Sequence, residues 1–131
     1  MLNTISGAFS GPLVPLGFSQ EPANTVAQKN EPVTLNCGVE GSPPPSKITW
    51  EKDGQKIVAD SRRRIASNGA LIITRVIHKR AKNTTDVGEY QCFASSSMGR
   101  IASHKVQLDI AGKKQMKNMF INHFGGFKQI Q

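Results

Sequence analysis

The sequence predicts an all-β domain in which two sheets pack face to face. Three observations predict it: short runs that alternate apolar and polar residues, frequent turn signals between those runs, and two cysteines on the inward-facing side of separate runs. The chain has 131 residues, enough for one domain. Its composition, 37% apolar and 20% charged, is that of a folded chain, and no stretch is long and apolar enough to span a membrane.

The predicted strands follow one another through residues 18–111. Their inward-facing residues are Val33, Leu35, Cys37, Ile48, Trp50, Leu71, Ile73, Val76, Tyr90, Cys92, Ala94, Val106, Leu108 and Ile110. Turn signals separate the strands at Gly41–Ser46, Asp53-Gly54, Asn68-Gly69 and Met98-Gly99. About seven to eight short strands, with no convincing helix, are typical of a two-sheet sandwich.

The two flanks of this region differ from it. Residues 1–17 carry no charge, and their apolar residues are too interrupted for the core of a signal peptide, so we interpret them as a truncated or alternative N-terminus, with a degenerate signal as the alternative. Residues 112–131 form a basic tail. Its apolar residues Met116, Met119, Phe120 and Phe124 also fit a short amphipathic helix. Both flanks are expected to be disordered.

The net charge of +8 is concentrated in the tail. Four of the 17 Lys and Arg residues, and none of the nine Asp and Glu residues, lie in 113–131. The rest of the chain therefore carries 13 basic and nine acidic side chains, or +4. A charge this modest does not predict a nucleic-acid partner.

Four residues of the predicted interior form one constellation. Cys37 and Cys92 face inward from different strands, Trp50 faces inward from the strand after the first cysteine, and Tyr90 lies two residues before the second. This is the core arrangement of an immunoglobulin sandwich, in which a disulfide bridges the sheets and the indole packs on it. Closing about 55 residues should stabilise the fold by about 4 kcal/mol. Two buried free thiols are the alternative.

The residues around Cys92 carry a more specific resemblance. The run Asp86–Ala94, followed by Ser96 and Gly99, resembles the D-x-G-x-Y-x-C-x-A-x-N-x-x-G pattern of I-set immunoglobulin domains, with Ser96 in place of the usual Asn. Further matches with that set are Pro45, Ile48, Trp50, Asp53-Gly54 and Asn68–Leu71. More narrowly, residues 18–111 resemble the N-terminal immunoglobulin domain of the netrin-receptor group, which comprises neogenin, protogenin and the deleted-in-colorectal-cancer protein. The residues that carry this are Glu21-Pro22, Ser67–Gly69, Val76–Asp86 and Gly99–Ser103.

The resemblance implies a non-catalytic recognition module at the cell surface. Receptors of this group are type I membrane proteins of axon-guidance and adhesion type, and the later modules of such receptors do not occur in this sequence. The expected partners are adjacent immunoglobulin domains or cell-surface and secreted proteins. The alternative is an intracellular structural I-set domain of a muscle-filament protein, which would keep both cysteines reduced.

A basic cluster is predicted at one end of the sandwich, where two connections emerge together. Its members are Arg62, Arg63, Lys79, Arg80 and Lys82. Converging cations suit heparan sulfate or another acidic partner, and a solvated charged end is the alternative. Arg64 is assigned to a structural ion pair with Asp86. Asn83 begins an N-x-[ST] sequon in the same region and is a candidate glycosylation site.

Phe93 has the opposite parity to Tyr90 and Cys92, so we expect its ring to point out of the sheet among polar neighbours. It is therefore a candidate protein contact, although single exposed apolar residues are common. Together with Trp50 and Tyr90, Leu71 is assigned to the core. No metal site, cofactor or catalytic residues are expected, because both cysteines are committed and the histidines are scattered.

Overall fold

The computed structural model of the protein describes residues 11–112. In that part of the chain, thirteen strands and one short 3₁₀ helix occur, and no α-helix. The strands are β1 (Val14–Gln20), β2 (Thr25–Ala27), β3 (Val33–Leu35), β4 (Gly38–Ser42), β5 (Lys47–Lys52), β6 (Gln55–Lys56), β7 (Arg63–Ile65), β8 (Leu71–Ile73), β9 (His78–Lys79), β10 (Thr84–Thr85), β11 (Gly88–Ser96), β12 (Gly99–Ala102) and β13 (Val106–Ile110). The 3₁₀ helix spans Arg80–Lys82, between β9 and β10.

The larger sheet has six strands. Its order is β2–β13–β11–β5–β6, and β12 pairs with β11 as well. Strand β11 is the centre of this sheet, since it places Cys92 opposite Trp50 of β5 and Tyr90 opposite Val106 of β13. The pairing of β2 with β13 is parallel, whereas the other pairings of this sheet are antiparallel.

The opposite layer contains two smaller sheets. Strands β3, β8 and β7 form a three-stranded antiparallel sheet in the order β3–β8–β7. Strand β1 pairs with β4, with register irregularities after Val14 and Phe18. Only Asn36 and Cys37 separate β3 from β4, so the first cysteine lies between the two small sheets.

Alternating burial along the strands forms a single core between the layers. In and after β3, Leu35 and Cys37 are buried while Thr34 and Asn36 are exposed, which is the period of a half-buried strand. Trp50, Leu71, Ile73, Tyr90, Cys92 and Leu108 are completely buried. The indole Nε1 of Trp50 donates a hydrogen bond of 2.8 Å to the carbonyl oxygen of Gly69, so the one polar atom of that ring is satisfied inside the core.

Cys37 and Cys92 form the disulfide, which joins the two layers across 55 positions of sequence, with their Cα atoms 6.4 Å apart. The predicted sandwich and its inter-sheet bridge are therefore confirmed, and the alternative of free thiols is wrong. We call Cys37, Cys92 and Trp50 the disulfide core.

Among the described residues the first strand begins at Val14, four residues before the expected domain start at residue 18. The last strand ends at Ile110, next to the expected end at 111. The predictions for residues 1–10 and for the tail from 113 onward, including the amphipathic stretch, lie outside the described residues. Between 11 and 112 no helix is long and apolar enough to cross a membrane.

Candidate functional site

A buried polar corner lies at the start of β11 and centres on Asp86, which is 1% exposed. The hydroxyl of Tyr90 donates a 2.6 Å hydrogen bond to the backbone carbonyl oxygen of Asp86. Burial raises the pKa of Tyr90 far above its usual value, and the nearby Asp86 carboxylate adds to the effect. Tyr90 therefore stays a neutral donor that fixes the turn into β11.

The carboxylate of Asp86 is paired with Arg62, and the predicted pair with Arg64 is wrong. Arg62 Nη1 lies 2.6 Å from Asp86 Oδ2 and also donates to the carbonyl oxygen of Arg75 at 3.0 Å. The backbone N–H of Ile77 completes the site at 2.8 Å from the same carboxylate oxygen. Arg64 is an exposed residue of β7 and lies opposite Ile72 of β8. It alternates with Ile65, which packs against the core, so the side chain of Arg64 points outward. We call Asp86, Arg62, Ile77 and Tyr90 the Asp86 corner.

Arg63 is also engaged inside the domain. Its Nη2 atom lies 3.4 Å from Asp60 Oδ2, and its Nε atom is buried without a hydrogen-bond partner among residues 11–112. The Oδ1 atom of Asp60 accepts hydrogen bonds from the backbone N–H groups of Arg62 and Arg63, and these bonds lower the pKa of Asp60. Two of the five predicted basic-cluster residues are thus held by carboxylates of the domain itself.

The other three cations of that cluster remain at the surface. Lys79, Arg80 and Lys82 are exposed in β9 and the 3₁₀ helix, and within the described residues none of them forms an ion pair shorter than 4 Å. Asn83 follows directly, at φ 52° and ψ 38°, in the left-handed conformation that Asn tolerates better than most residues. Its exposed side chain therefore lies at the tip of the β9–β10 hairpin, beside these three cations. We call Lys79, Arg80 and Lys82 the basic end.

Phe93 is less exposed than the sequence predicts. It does point to the outer face of the larger sheet, but the ring is only 9% exposed because the guanidinium of Arg100 lies over it, 4.3 Å from the ring centre. The expectation of an exposed aromatic side chain is therefore wrong. A shallow cavity of about 210 Å³ is lined by both residues and by Lys47, Thr49, Glu51, Lys56, Ala94 and Ser95.

Sequence reasoning missed Arg100, although a signal for it exists. The turn at Met98-Gly99 places Ser96 opposite Gly99 and Ser95 opposite Arg100. Phe93 lies opposite Ala102, so Arg100 is its diagonal neighbour on the same face, within reach of a long side chain. The register of this hairpin is enough to derive the contact.

His104, in the loop before β13, contacts the loop between β1 and β2. Its Nδ1 lies 2.9 Å from Glu21 Oε1, its Nε2 lies 2.9 Å from the carbonyl oxygen of Pro22, and its backbone N–H donates to Glu21. Because these contacts join two loops of the domain, we assign His104 a structural role. Among residues 11–112, no group of three or more His, Cys, Asp or Glu side chains is placed to hold a metal ion.

Comparison with known proteins agrees with this architecture. A family profile described as immunoglobulin domain matches residues 17–96. Human neogenin is 38% identical over 109 residues, covering 81% of this chain and 7% of neogenin. Human Roundabout homolog 1 is 36% identical over 97 residues, covering 70% of this chain and 6% of that protein.

A solved structure supports the same assignment. One chain of a crystal structure of a titin–obscurin-like 1 immunoglobulin complex superposes with a TM-score of 0.64 at 27% identity, covering 75% of this chain and 95% of that one. The chain thus spans only a small part of the curated relatives that it matches, and nearly all of a single structural module. The sandwich, its disulfide, the tyrosine at the corner and these matches together show a non-catalytic binding module: the chain belongs to the immunoglobulin domain family.

Proposed function

We propose that this domain is an extracellular recognition module of a cell-surface receptor of axon-guidance or adhesion type, which binds adjacent immunoglobulin domains or other cell-surface and secreted proteins. The observation that carries the proposal is the bond between Cys37 and Cys92, because disulfides form and persist in oxidising compartments. The similarity to neogenin and Roundabout homolog 1 supports the receptor class.

An intracellular structural domain of the muscle-filament kind is the second candidate, and the similarity to the titin–obscurin-like 1 complex favours it. The two candidates differ in the state of the cysteines. In a reducing cytosol the same buried sulfurs would remain thiols.

Thiol labelling of the protein, isolated from the cells that make it, separates the two candidates. The chain is denatured without reductant and treated with a maleimide-polyethylene glycol reagent. We expect no labelling until reductant is added, and then two labels, at Cys37 and Cys92. A Cys37→Ala/Cys92→Ala variant is the unlabelled control. Two labels without reductant would overturn the extracellular assignment.

Asn83 is proposed as the attachment site of an N-linked glycan. Its exposed side chain at a hairpin tip leaves room for a sugar chain, and Thr85 completes the sequon. In protein secreted from cultured cells we expect an electrophoretic mobility shift on treatment with an N-glycosidase. The Asn83→Gln variant should run at the deglycosylated position without treatment, and an unchanged wild-type mobility would contradict the proposal.

The basic end is proposed to bind heparan sulfate. Its three exposed cations lack internal partners in the described chain, and a polysulfated glycan offers the matching charges. Heparin chromatography in physiological salt tests this in an Asn83→Gln background, which removes any glycan beside the site.

In the Asn83→Gln background, we expect the protein with Lys79, Arg80 and Lys82 all replaced by Glu to elute at lower salt than the protein that keeps these three cations. The matched control changes the same net charge at Lys29, Arg64 and Lys105, which are exposed elsewhere. Equal retention of the two triple variants would overturn this assignment.

A further inference from the structure

A second polar surface lies on the outer face of the larger sheet, away from the basic end. It is the cavity of about 210 Å³ between β5, β6, β11 and β12, which we call the sheet cavity. Its β11 residues lie five to seven positions beyond Gly88, where β11 begins. At about 3.3 Å per residue that is roughly 20 Å from the start of the strand. The sheet cavity and the basic end are therefore separate surfaces.

Arg100 is the cation of the sheet cavity that contacts an aromatic ring. Its guanidinium is stacked over the Phe93 ring at 4.3 Å, which restricts a side chain that would otherwise sample many rotamers. Stacking occupies a face of the guanidinium plane and leaves the N–H groups at its edge available. Because this plane is held in place, less conformational entropy is lost when those N–H groups bind an oxyanion.

The other polar side chains of the sheet cavity provide both charge and hydrogen-bonding groups. Lys47 and Lys56 line the cavity together with Arg100, and in the described part of the chain none of these three cations has an ion-pair partner within 4 Å. Glu51 is the one carboxylate of the lining, so the local charge is three minus one, or +2. Thr49 and Ser95 add two hydroxyl groups.

This combination fits a sugar better than a purely acidic peptide. A planar carboxylate matches the fork of Arg100, while hydroxyl groups of a sugar ring need both donors and acceptors, which Thr49, Ser95 and Glu51 supply. A volume of about 210 Å³ accommodates one sugar ring rather than an extended polymer. Glu51 would repel a densely sulfated chain but accepts a hydrogen bond from a sugar hydroxyl.

We propose that the sheet cavity binds a single carboxylate-bearing sugar residue of a cell-surface glycan, with Arg100 as the carboxylate contact. The inference rests on the proposed extracellular function, since such glycans occur outside the cell. The binding itself is measured on the purified chain, so its failure is distinct from a failure of the thiol test.

The test is a titration of the isotope-labelled full chain followed by NMR, with three probes: 3′-sialyllactose, a hyaluronan tetrasaccharide and neutral lactose. Hyaluronan carries carboxylates without sulfate, so it avoids the sulfate chemistry proposed for the basic end. We expect at least one acidic probe to shift the amide signals of Ser95 and Arg100, with lactose at least about tenfold weaker. Tighter binding of sialyllactose identifies a sialylated terminus as the source, and tighter binding of hyaluronan identifies a uronate.

Arg100→Gln should weaken binding of the acidic probe at least about tenfold, because it removes the charged fork. Arg64→Gln is the matched control, since Arg64 is an exposed arginine in the opposite layer, and it should leave the dissociation constant within about twofold. The proposal is overturned if neither acidic sugar binds more tightly than lactose, or if the two variants behave alike. It is also overturned if a tetraglutamate peptide binds the same residues more tightly than either sugar, because the occupant would then be an acidic protein.

Discussion

The residues of the disulfide core are buried, and so are Asp86 and Tyr90 of the Asp86 corner, yet different forces hold the two regions. In the disulfide core a covalent bond and apolar packing join the layers, and the indole of Trp50 donates a hydrogen bond to Gly69. In the Asp86 corner the guanidinium of Arg62 and the backbone N–H of Ile77 compensate the buried carboxylate of Asp86. The hydroxyl of Tyr90 donates to the backbone carbonyl oxygen of the same residue. Apolar packing accepts any well-fitting neighbour, whereas a buried charge requires its particular partner.

The largest expected effect belongs to the disulfide core. Replacing both cysteines by Ala should lower the free energy of unfolding by about 4 kcal/mol, because the bridge restricts the unfolded chain over a long loop. Urea unfolding without reductant measures the change, and adding reductant to the wild type should reproduce it. A loss below about 1 kcal/mol would show that packing alone holds the layers together.

The Asp86 corner should respond almost as strongly, and to replacement of Arg62 but not of Arg64. We expect Arg62→Gln and Asp86→Asn each to cost about 3 kcal/mol, since either change leaves a poorly compensated buried group. Arg64→Gln should stay within about 0.5 kcal/mol, because Arg64 is exposed. Equal effects of Arg62→Gln and Arg64→Gln in thermal unfolding would contradict the assigned pair.

Gly69 lies against the disulfide core, where its carbonyl oxygen accepts the indole hydrogen bond of Trp50. It adopts φ +98°, and a Cβ atom there would overlap the carbonyl oxygen of Cys37. Gly69→Ala should therefore cost about 2 kcal/mol or more. Gly54 is the control, since it also has a positive φ, +83°, but a Cβ there meets nothing within 4 Å. Gly54→Ala should cost only about 1 kcal/mol, and an equal loss at both sites would exclude a steric cause.

The smallest effect concerns pH at the turn between β5 and β6, where Asp53 contacts the beginning of β11. The backbone N–H of Glu89 donates to Asp53, and together with Lys52 it holds the pKa of Asp53 below the ordinary value of 3.8. The stabilisation is therefore complete above pH 3.8 and is lost as the pH falls through the lower folded-state value. Because Asp53 is largely exposed, solvent screening keeps the effect within about 1 kcal/mol.

Stability measured from pH 7 to pH 2 should show Asp53→Asn below the wild type at neutral pH and equal to it in acid. Asn retains the left-handed backbone that residue 53 adopts at φ 51°. The control Glu40→Gln alters an exposed carboxylate and should stay within about 0.5 kcal/mol of the wild type at pH 7. A constant gap between Asp53→Asn and the wild type would contradict the titration.

The disulfide core could be predicted from the sequence because parity decides it. In a strand, alternate residues share a face, so Cys37, Trp50 and Cys92 each had to face the interior once their strands were recognised. The partner of Asp86 could not be predicted in this way. Arg62 and Arg64 have the same parity, so strand alternation does not choose between them, and Arg62 reaches the carboxylate from the position just before β7 begins.

The exposure of Phe93 could not be predicted from its own strand. Its parity correctly placed the ring outside the core, but the side chain that covers it belongs to β12. Exposure of an outward residue depends on diagonal neighbours as well as on parity. The early start of β1 escaped prediction for a related reason, because Val14–Gly17 contains a Pro and a Gly and is held mainly by pairing with β4.

The parallel pairing of β2 with β13 has a mechanical consequence. Because these strands run in the same direction, with Thr25 opposite Leu108 and Ala27 opposite Ile110, the chain enters β2 at one pole of the sandwich and leaves β13 at the other. Tension applied at the two ends would load the hydrogen bonds of this pair together, in shear, instead of peeling them apart one at a time. A module built in this way resists stretching along the direction in which successive modules of a chain would be strung.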